Sequence, residues 1–137
     1  MNYLVDTNVI SELVRPKPSA NVVQWFDTIP SERIYVSVLT LGEIRKELEK
    51  LAKTERHIKL TIWLEVDLPH WFKDRILSID TSVAHRWGLL QAQMKRPLPA
   101  IDSLIAATAL HHDLTLVTRN LKDFQYPFLS LMDPWDY

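Results

Sequence analysis

The 137-residue sequence contains no cysteine, which excludes disulfides and any thiolate metal site. It also lacks an apolar run of the roughly 18 residues that a membrane-spanning helix needs, so no membrane association is expected. The opening residues, Met1-Asn2-Tyr3-Leu4-Val5-Asp6, have neither the basic start nor the apolar core of a secretion signal. Together with the missing cysteines, this leads us to expect a cytoplasmic protein. Nor is there a basic surplus: 16 Lys and Arg against 17 Asp and Glu leave a formal net charge of −1. Proteins with a large nucleic-acid footprint normally carry such a surplus. Any contact with nucleic acid must therefore rest on a local arrangement of basic residues or on charge supplied by a partner. Repeats, low-complexity tracts and linkers are missing too, and residues 1–137 read as one domain.

What is present is the composition of a folded chain, 47% hydrophobic and 24% charged, which argues against disorder. Short β-branched runs alternate with helical patterns, the mark of a parallel sheet covered by helices. Met1 to Val5 reads as a buried first strand, and Thr7 to Val14 as a short helix stopped by Pro16 and Pro18. Ser19 is placed to cap a helix carrying Val22, Val23 and Phe26. Ile34 to Val38 is a second strand. Thr40 then looks like the cap of a helix with Leu41, Ile44, Leu48 and Leu51 on one face. A helical stretch from about Glu55 to Glu65, with Ile58, Ile62 and Trp63, is expected to break at Pro69. Arg75 to Ile79 is a third strand, and Asp80-Thr81-Ser82 caps a helix bearing Val83, Trp87, Leu90 and Met94. Pro99 suits the first turn of the mostly apolar helix Ala100 to His112. Leu114 to Thr118 is a fourth strand, and Phe128 to Met132 a weak fifth.

The acids fall at telling places along this pattern. In an open parallel sheet the strand C-termini lie along one edge, where ligands bind. Asp6 directly follows strand one, Glu43 is expected in the first turn of the helix after strand two, and Asp102 in the first turn of the helix leading into strand four. Asn120 and Asp123 follow strand four. Carboxylates gathered at one edge repel one another unless a cation neutralises them. A set of oxygen ligands without Cys or His suits Mg²⁺ or Mn²⁺. Such an ion supports phosphodiester hydrolysis. Each acid also has a plainer reading: Asp6 as a helix cap, Glu43 as the partner of Thr40 in a capping box, Asp102 as a favourable first-turn charge.

Leu4-Val5-Asp6-Thr7-Asn8-Val9-Ile10-Ser11-Glu12, the position of Glu43, the run Ala100 to Ala109 around Asp102, and Val117-Thr118-Arg119-Asn120 resemble the PIN-domain family. Within it they resemble VapC-type toxins, especially the FitB-like branch, whose tail is similar to Asp133-Pro134-Trp135. The resemblance implies a three-layer α/β/α fold with a central, mostly parallel sheet of four or five strands. It further implies a Mg²⁺- or Mn²⁺-dependent endoribonuclease, a homodimer, and inhibition by a VapB-like antitoxin that would also supply the contact with DNA. Asp6 and Asp102 match the family's metal-ligand aspartates and Glu43 the acid that completes the triad. The fourth family acid falls on Asn120, an uncharged amide, with Asp123 three residues on as a substitute.

Thr7, Asn8, Ser37 and Thr118 sit beside the acids and are placed to hydrogen-bond a ligand or ordered water, although each is also an ordinary cap or turn residue. Lys95, Arg96 and Arg119 flank Asp102 and Asn120 and are the best-placed phosphate contacts. The basic stretch from Arg45 to Lys59 is interleaved with glutamates and reads as a solvated face. The five histidines show no ligand spacing joined to the acids, and the five tryptophans read as packing residues. Two other readings remain at this level. A haloacid-dehalogenase-like phosphatase also places an aspartate after strand one, but needs a second two residues on, where this chain has Asn8. A PIN-like interaction module without activity is the non-enzymatic alternative.

Overall fold

The computed structural model describes residues 1–137 throughout. Its five strands are β1 (Tyr3–Val5), β2 (Ile34–Ser37), β3 (Ile76–Leu77), β4 (Thr115–Val117) and β5 (Leu131–Met132). They form one sheet in the order β3-β2-β1-β4-β5, parallel at every pairing. The first strand in the chain is therefore the central one. Register is set by Tyr3 opposite Ile34 on one side and Thr115 on the other.

Alternation along these short strands sends side chains to two separate cores, as a sheet buried on both faces requires. Val5 and Val117 join Val9, Val22, Trp25, Ile44 and Phe72 on one face, whereas Leu4 and Leu116 join Leu90, Ile105, Ala106 and Phe124 on the other. The first core is roofed by α1 (Thr7–Glu12), α2 (Ala20–Thr28), α3 (Val38–Glu49), α4 (Glu55–Ile62) and α5 (Leu68–Phe72). The second lies under α6 (Thr81–Gln93) and α7 (Ala100–His111). Three layers result, α/β/α. No helix is long and apolar enough to cross a membrane.

Local chemistry explains where the elements begin. The Ser19 hydroxyl accepts from the Val22 amide at the start of α2, and the Asp80 carboxylate from the Val83 amide at the start of α6. The second strand ends one residue earlier than expected, at Ser37, because the Ser37 hydroxyl accepts from the Leu39 amide and turns the chain into α3 there. Thr40 is consequently not the cap but a buried residue inside the helix, and no capping box with Glu43 forms. Glu43 moves with it into the second turn. The third strand is shorter than Arg75 to Ile79, and Pro99 stands just before the first turn of α7 rather than within it.

Pro69 does not break the helical stretch. Between α4 and α5 the helix widens into a π turn over Trp63–Asp67, in which the Leu68 amide donates to the Trp63 carbonyl five residues back. A proline in an ordinary helix loses an N–H bond and strikes the carbonyl four residues earlier; the wider turn places Pro69 in the first turn of α5 and relieves both problems. On α4, Ile58 and Ile62 face outward and are exposed, not buried as an amphipathic helix would suggest.

At the C-terminal end of α7 the rings of His111 and His112 meet edge to face at 4.7 Å. Burial, then the neighbouring His111, hold His112 below the ordinary histidine range, with Asp80 opposing. Trp25 is the largest fully buried side chain, wedged at right angles between Tyr3 (5.3 Å) and Phe26 (5.0 Å). Truncation to alanine opens a cavity beneath the central strand, so Trp25→Ala is expected to cost about 3–5 kcal/mol in urea unfolding. A loss under 1 kcal/mol would show that the aromatic wedge does not hold the sheet.

Candidate active site

Asp6 leaves the C-terminal end of the central strand, tied there because its amide donates to the Val117 carbonyl of β4 at 2.9 Å. Its side chain is 6% exposed. One carboxylate oxygen accepts from the Thr7 amide at 2.8 Å, and the other from the Thr118 hydroxyl, also at 2.8 Å. Asp6 is thus a helix cap, as its plainer reading held, and simultaneously a buried anion held across two strands. Asn8 braces the same corner. Its amide nitrogen lies 3.5 Å from Asp6 and 3.4 Å from the Thr118 hydroxyl, while its oxygen accepts from the Arg119 amide. The Thr118 hydroxyl also accepts from the Asn120 amide.

Glu43 reaches the same edge from α3. The Thr7 hydroxyl donates to it at 2.6 Å and lies 3.2 Å from the Thr40 hydroxyl. Thr7 therefore joins two acids, Asp6 through its backbone and Glu43 through its side chain. Thr40 is a contributor that sequence reasoning assigned to a helix cap; its burial on the α3 face turned toward α1 is the signal that was missed. The Ser37 hydroxyl accepts from the Leu39 amide at the start of α3.

Asp102, in the first turn of α7, completes the notch from the opposite layer. Burial raises Asp6 above the ordinary carboxylate range despite the Thr118 and Thr7 hydrogen bonds, and Asp102 and Glu43 raise it further. Asp102 is raised by burial, then by Glu43 and Asp123, with no hydrogen bond to offset them. Four acids from distant parts of the chain thus share one electrostatic neighbourhood. As they stand, no three acidic or histidine side chains close into a ready-made ligand set. The donor chemistry nonetheless fits a hard divalent cation: the gathered groups are all oxygen, and the acids around Asp6 and Asp102 disfavour the charged forms of those two, an effect that an added cation would reverse.

Among the remaining predicted residues, Asn120 and Asp123 are exposed on the turn after β4, and Asp123 acts on Asp102 whereas the Asn120 side chain makes no cap. Lys95 and Arg96 are exposed on the loop before α7. The Arg119 guanidinium lies over the Trp135 ring at 4.9 Å, an aromatic partner not foreseen for it. Trp87 donates to the buried Ser103 hydroxyl at 2.9 Å and pins α6 to α7 beside Asp102.

The sequence that delivers these acids from β1, α3 and α7 to one edge of a parallel sheet matches a family profile. The PIN domain profile covers residues 3–126. The chain belongs to the PIN-domain family. The PIN domain here is similar to Toxin FitB of Neisseria gonorrhoeae, 36% identical over 135 residues that cover 96% of this chain and 97% of the relative. It is likewise similar to VapC ribonuclease Y4jK of Sinorhizobium fredii, at 31% identity over 97% of both chains. Among solved structures, the crystal structure of FitAcB from Neisseria gonorrhoeae superposes with a TM-score of 0.90 at 34% identity, covering 98% of this chain and 99% of that one.

Relief of repulsion gives a direct test. In EDTA, Asp102→Asn is expected to raise the thermal midpoint, because one unpaired, partly desolvated charge is removed. Mn²⁺ should then stabilise the wild type more than the variant, since an ion bound only by the folded state adds stability by mass action. A lower midpoint for the variant in EDTA would contradict the repulsive notch.

Proposed function

We propose that this chain is the toxin of a type II toxin–antitoxin pair, a metal-dependent endoribonuclease. The observation that carries the reading is the buried Asp6 carboxylate, held by Thr7 and Thr118 within the electrostatic reach of Glu43 and Asp102. A buried anion surrounded by further anions is costly for folding alone, and a cation-dependent reaction gives it a purpose. The PIN family to which the chain belongs contains ribonucleases of this kind, and the relatives named toxin and ribonuclease match nearly end to end.

In this reading Asp6, Glu43 and Asp102 hold a Mg²⁺ or Mn²⁺ ion, and Asn120 or Asp123 serves the fourth position. When bound, such an ion supplies water activation and neutralises charge developing at the scissile phosphate. The chain's own residues do the positioning. Thr118 and the Thr7 amide fix both oxygens of Asp6, so its orientation does not change on loading. The Thr7 hydroxyl and Thr40 hold Glu43 on the α1 side of the notch. Asn8 is spent on bracing Asp6, Thr118 and Arg119, and provides no acid for a phosphatase mechanism. Lys95, Arg96 and Arg119 contact RNA phosphates around the notch, the local basic arrangement a near-neutral chain requires.

The partners follow: an RNA substrate, a second copy of the chain, and a VapB-like antitoxin that covers the acidic edge with a basic side chain and carries the DNA contact. The compartment is the cytoplasm.

Cleavage of a structured RNA should require Mg²⁺ or Mn²⁺ and stop with EDTA. Partners that merely orient metal ligands are worth about 10–100-fold, so Asp6→Asn or Glu43→Gln should lower the rate by at least that much. Cleavage that survives EDTA, or is untouched by Asp6→Asn, removes the mechanism. Neutralising Lys95 and Arg96 together should make the slope of log affinity against log salt shallower by about 1.4 on single-stranded RNA. An unchanged slope would remove those two residues from the RNA contact.

A further inference from the structure

The C-terminal tail returns to the edge that carries the notch. β5 runs parallel to β4, and the Thr118 amide donates to the Met132 carbonyl at 2.9 Å, so the short helical turn Pro134–Asp136 begins beside the end of β4. That turn is held in several ways. Pro134 is buried, the Asp133 carboxylate accepts from the Trp135 amide at 2.9 Å, and Asn21 on α2 donates to the Trp135 carbonyl at 2.6 Å. The half-buried Trp135 ring packs on the core that contains Val117 and Trp25. It lies beyond the residues that the PIN profile matches.

The exposed Arg119 guanidinium lies over this ring, 4.9 Å from its centre. Arg119 is tied to the notch through its backbone. Its amide donates to the Asn8 side-chain oxygen at 3.3 Å, the Asn8 nitrogen lies 3.5 Å from Asp6, and the preceding Thr118 hydroxyl donates to Asp6. Other arginines are spent on the protein itself: Arg15 on Glu12, Arg45 on Glu49 and Glu65, Arg56 on the Val14 carbonyl, Arg75 on the Ile34 carbonyl. No carboxylate pairs with Arg119. An aromatic face attracts a guanidinium without cancelling its charge, and it leaves the fork of N–H donors free for an anion.

We infer that Trp135 is a positioning residue for the substrate, holding the Arg119 guanidinium at the rim of the notch as a preformed clamp for a phosphate of the RNA strand. The inference rests on the ribonuclease reading above and adds the C-terminal tail to the RNA-binding surface. Restraining a long side chain in its binding conformation removes part of the ordering cost of association. The planar fork can then take a phosphate through two parallel hydrogen bonds, which a lysine ammonium cannot do.

The test measures kcat and KM for cleavage of a single-stranded RNA in Mg²⁺ or Mn²⁺ by the full chain and its variants. Arg119→Gln should raise KM with kcat little changed, as loss of uniform binding does. Trp135→Leu, which keeps an apolar side chain on the core, should raise KM about 2–5-fold, the size of an exposed cation–π contact. Trp135→Phe should restore most of that loss. In the Arg119→Gln background, Trp135→Leu should have no further effect on KM. An equal effect of Trp135→Leu in both backgrounds would reduce the tail to a structural role and overturn the inference, as would an unchanged KM in Arg119→Gln. Should Trp135→Leu fail to fold, Arg119→Lys leaves the tail's packing in place; it should raise KM, and a wild-type KM there overturns the inference too. Absence of cleavage by the wild-type chain would instead remove the ribonuclease reading itself.

Discussion

The Thr118 hydroxyl bonded to Asp6 is the contact on which the rest of the site depends. It joins the ends of two neighbouring strands that are separated by most of the chain, and it does so through a carboxylate nearly sealed from water. Hydrogen bonds to a charged group contribute about 1.5–3 kcal/mol each, and losing one leaves the anion buried without compensation. The position of Asp6 is therefore dictated by the sheet rather than by a flexible loop. β1 is flanked on both sides, so the residue that follows it emerges from the middle of the edge, between the layers that carry α3 and α7.

Around that fixed point the fold accumulates strain of electrostatic origin. Asp102 and Glu43 approach from opposite layers, and each makes the charged state of Asp6 less favourable. Opposing layers are what the three-layer architecture provides: α1 and α3 belong to one core, α7 to the other, and only the strand edge is common to both. The small buried residues Ala106, Ala107 and Ala109 let α7 lie close against the sheet, while Trp87 bonded to Ser103 anchors its first turn. A free chain tolerates the crowded acids because Thr7, Thr40, Asn8 and Thr118 absorb part of their charge through hydrogen bonds. The notch is best understood as a site whose unfavourable charge is held ready by ordinary packing elsewhere.

Much of this was legible without coordinates. The sheet and its parallel sense follow from β-branched runs alternating with helical periodicity, and the edge shared by Asp6, Glu43 and Asp102 follows from topology alone. The start of α3 was not legible, because Ser37 and Thr40 are both good caps and the choice depends on where strand pairing with Ile76 and Leu77 ends. The fate of Pro69 was equally hidden: a π turn has no local sequence signature, and helix propensity alone predicts a break. The burial of the Tyr126 ring was hidden too, because a tyrosine between Gln125 and Pro127 looks like a loop residue. The stacking of Arg119 on Trp135 depended in the same way on where the tail returns.

Because the first strand is the central one, the order of synthesis and the order of assembly are at odds. Asp6 is synthesised well before Thr118, but β1 has no complete seat until β4, more than a hundred positions later, pairs beside it. Contacts between such distant segments form late in folding. A prematurely terminated chain lacking Thr118 cannot shape the site, however many of its acids it already contains. Whatever this protein does to RNA, the connectivity of its sheet confines that capacity to molecules translated past β4.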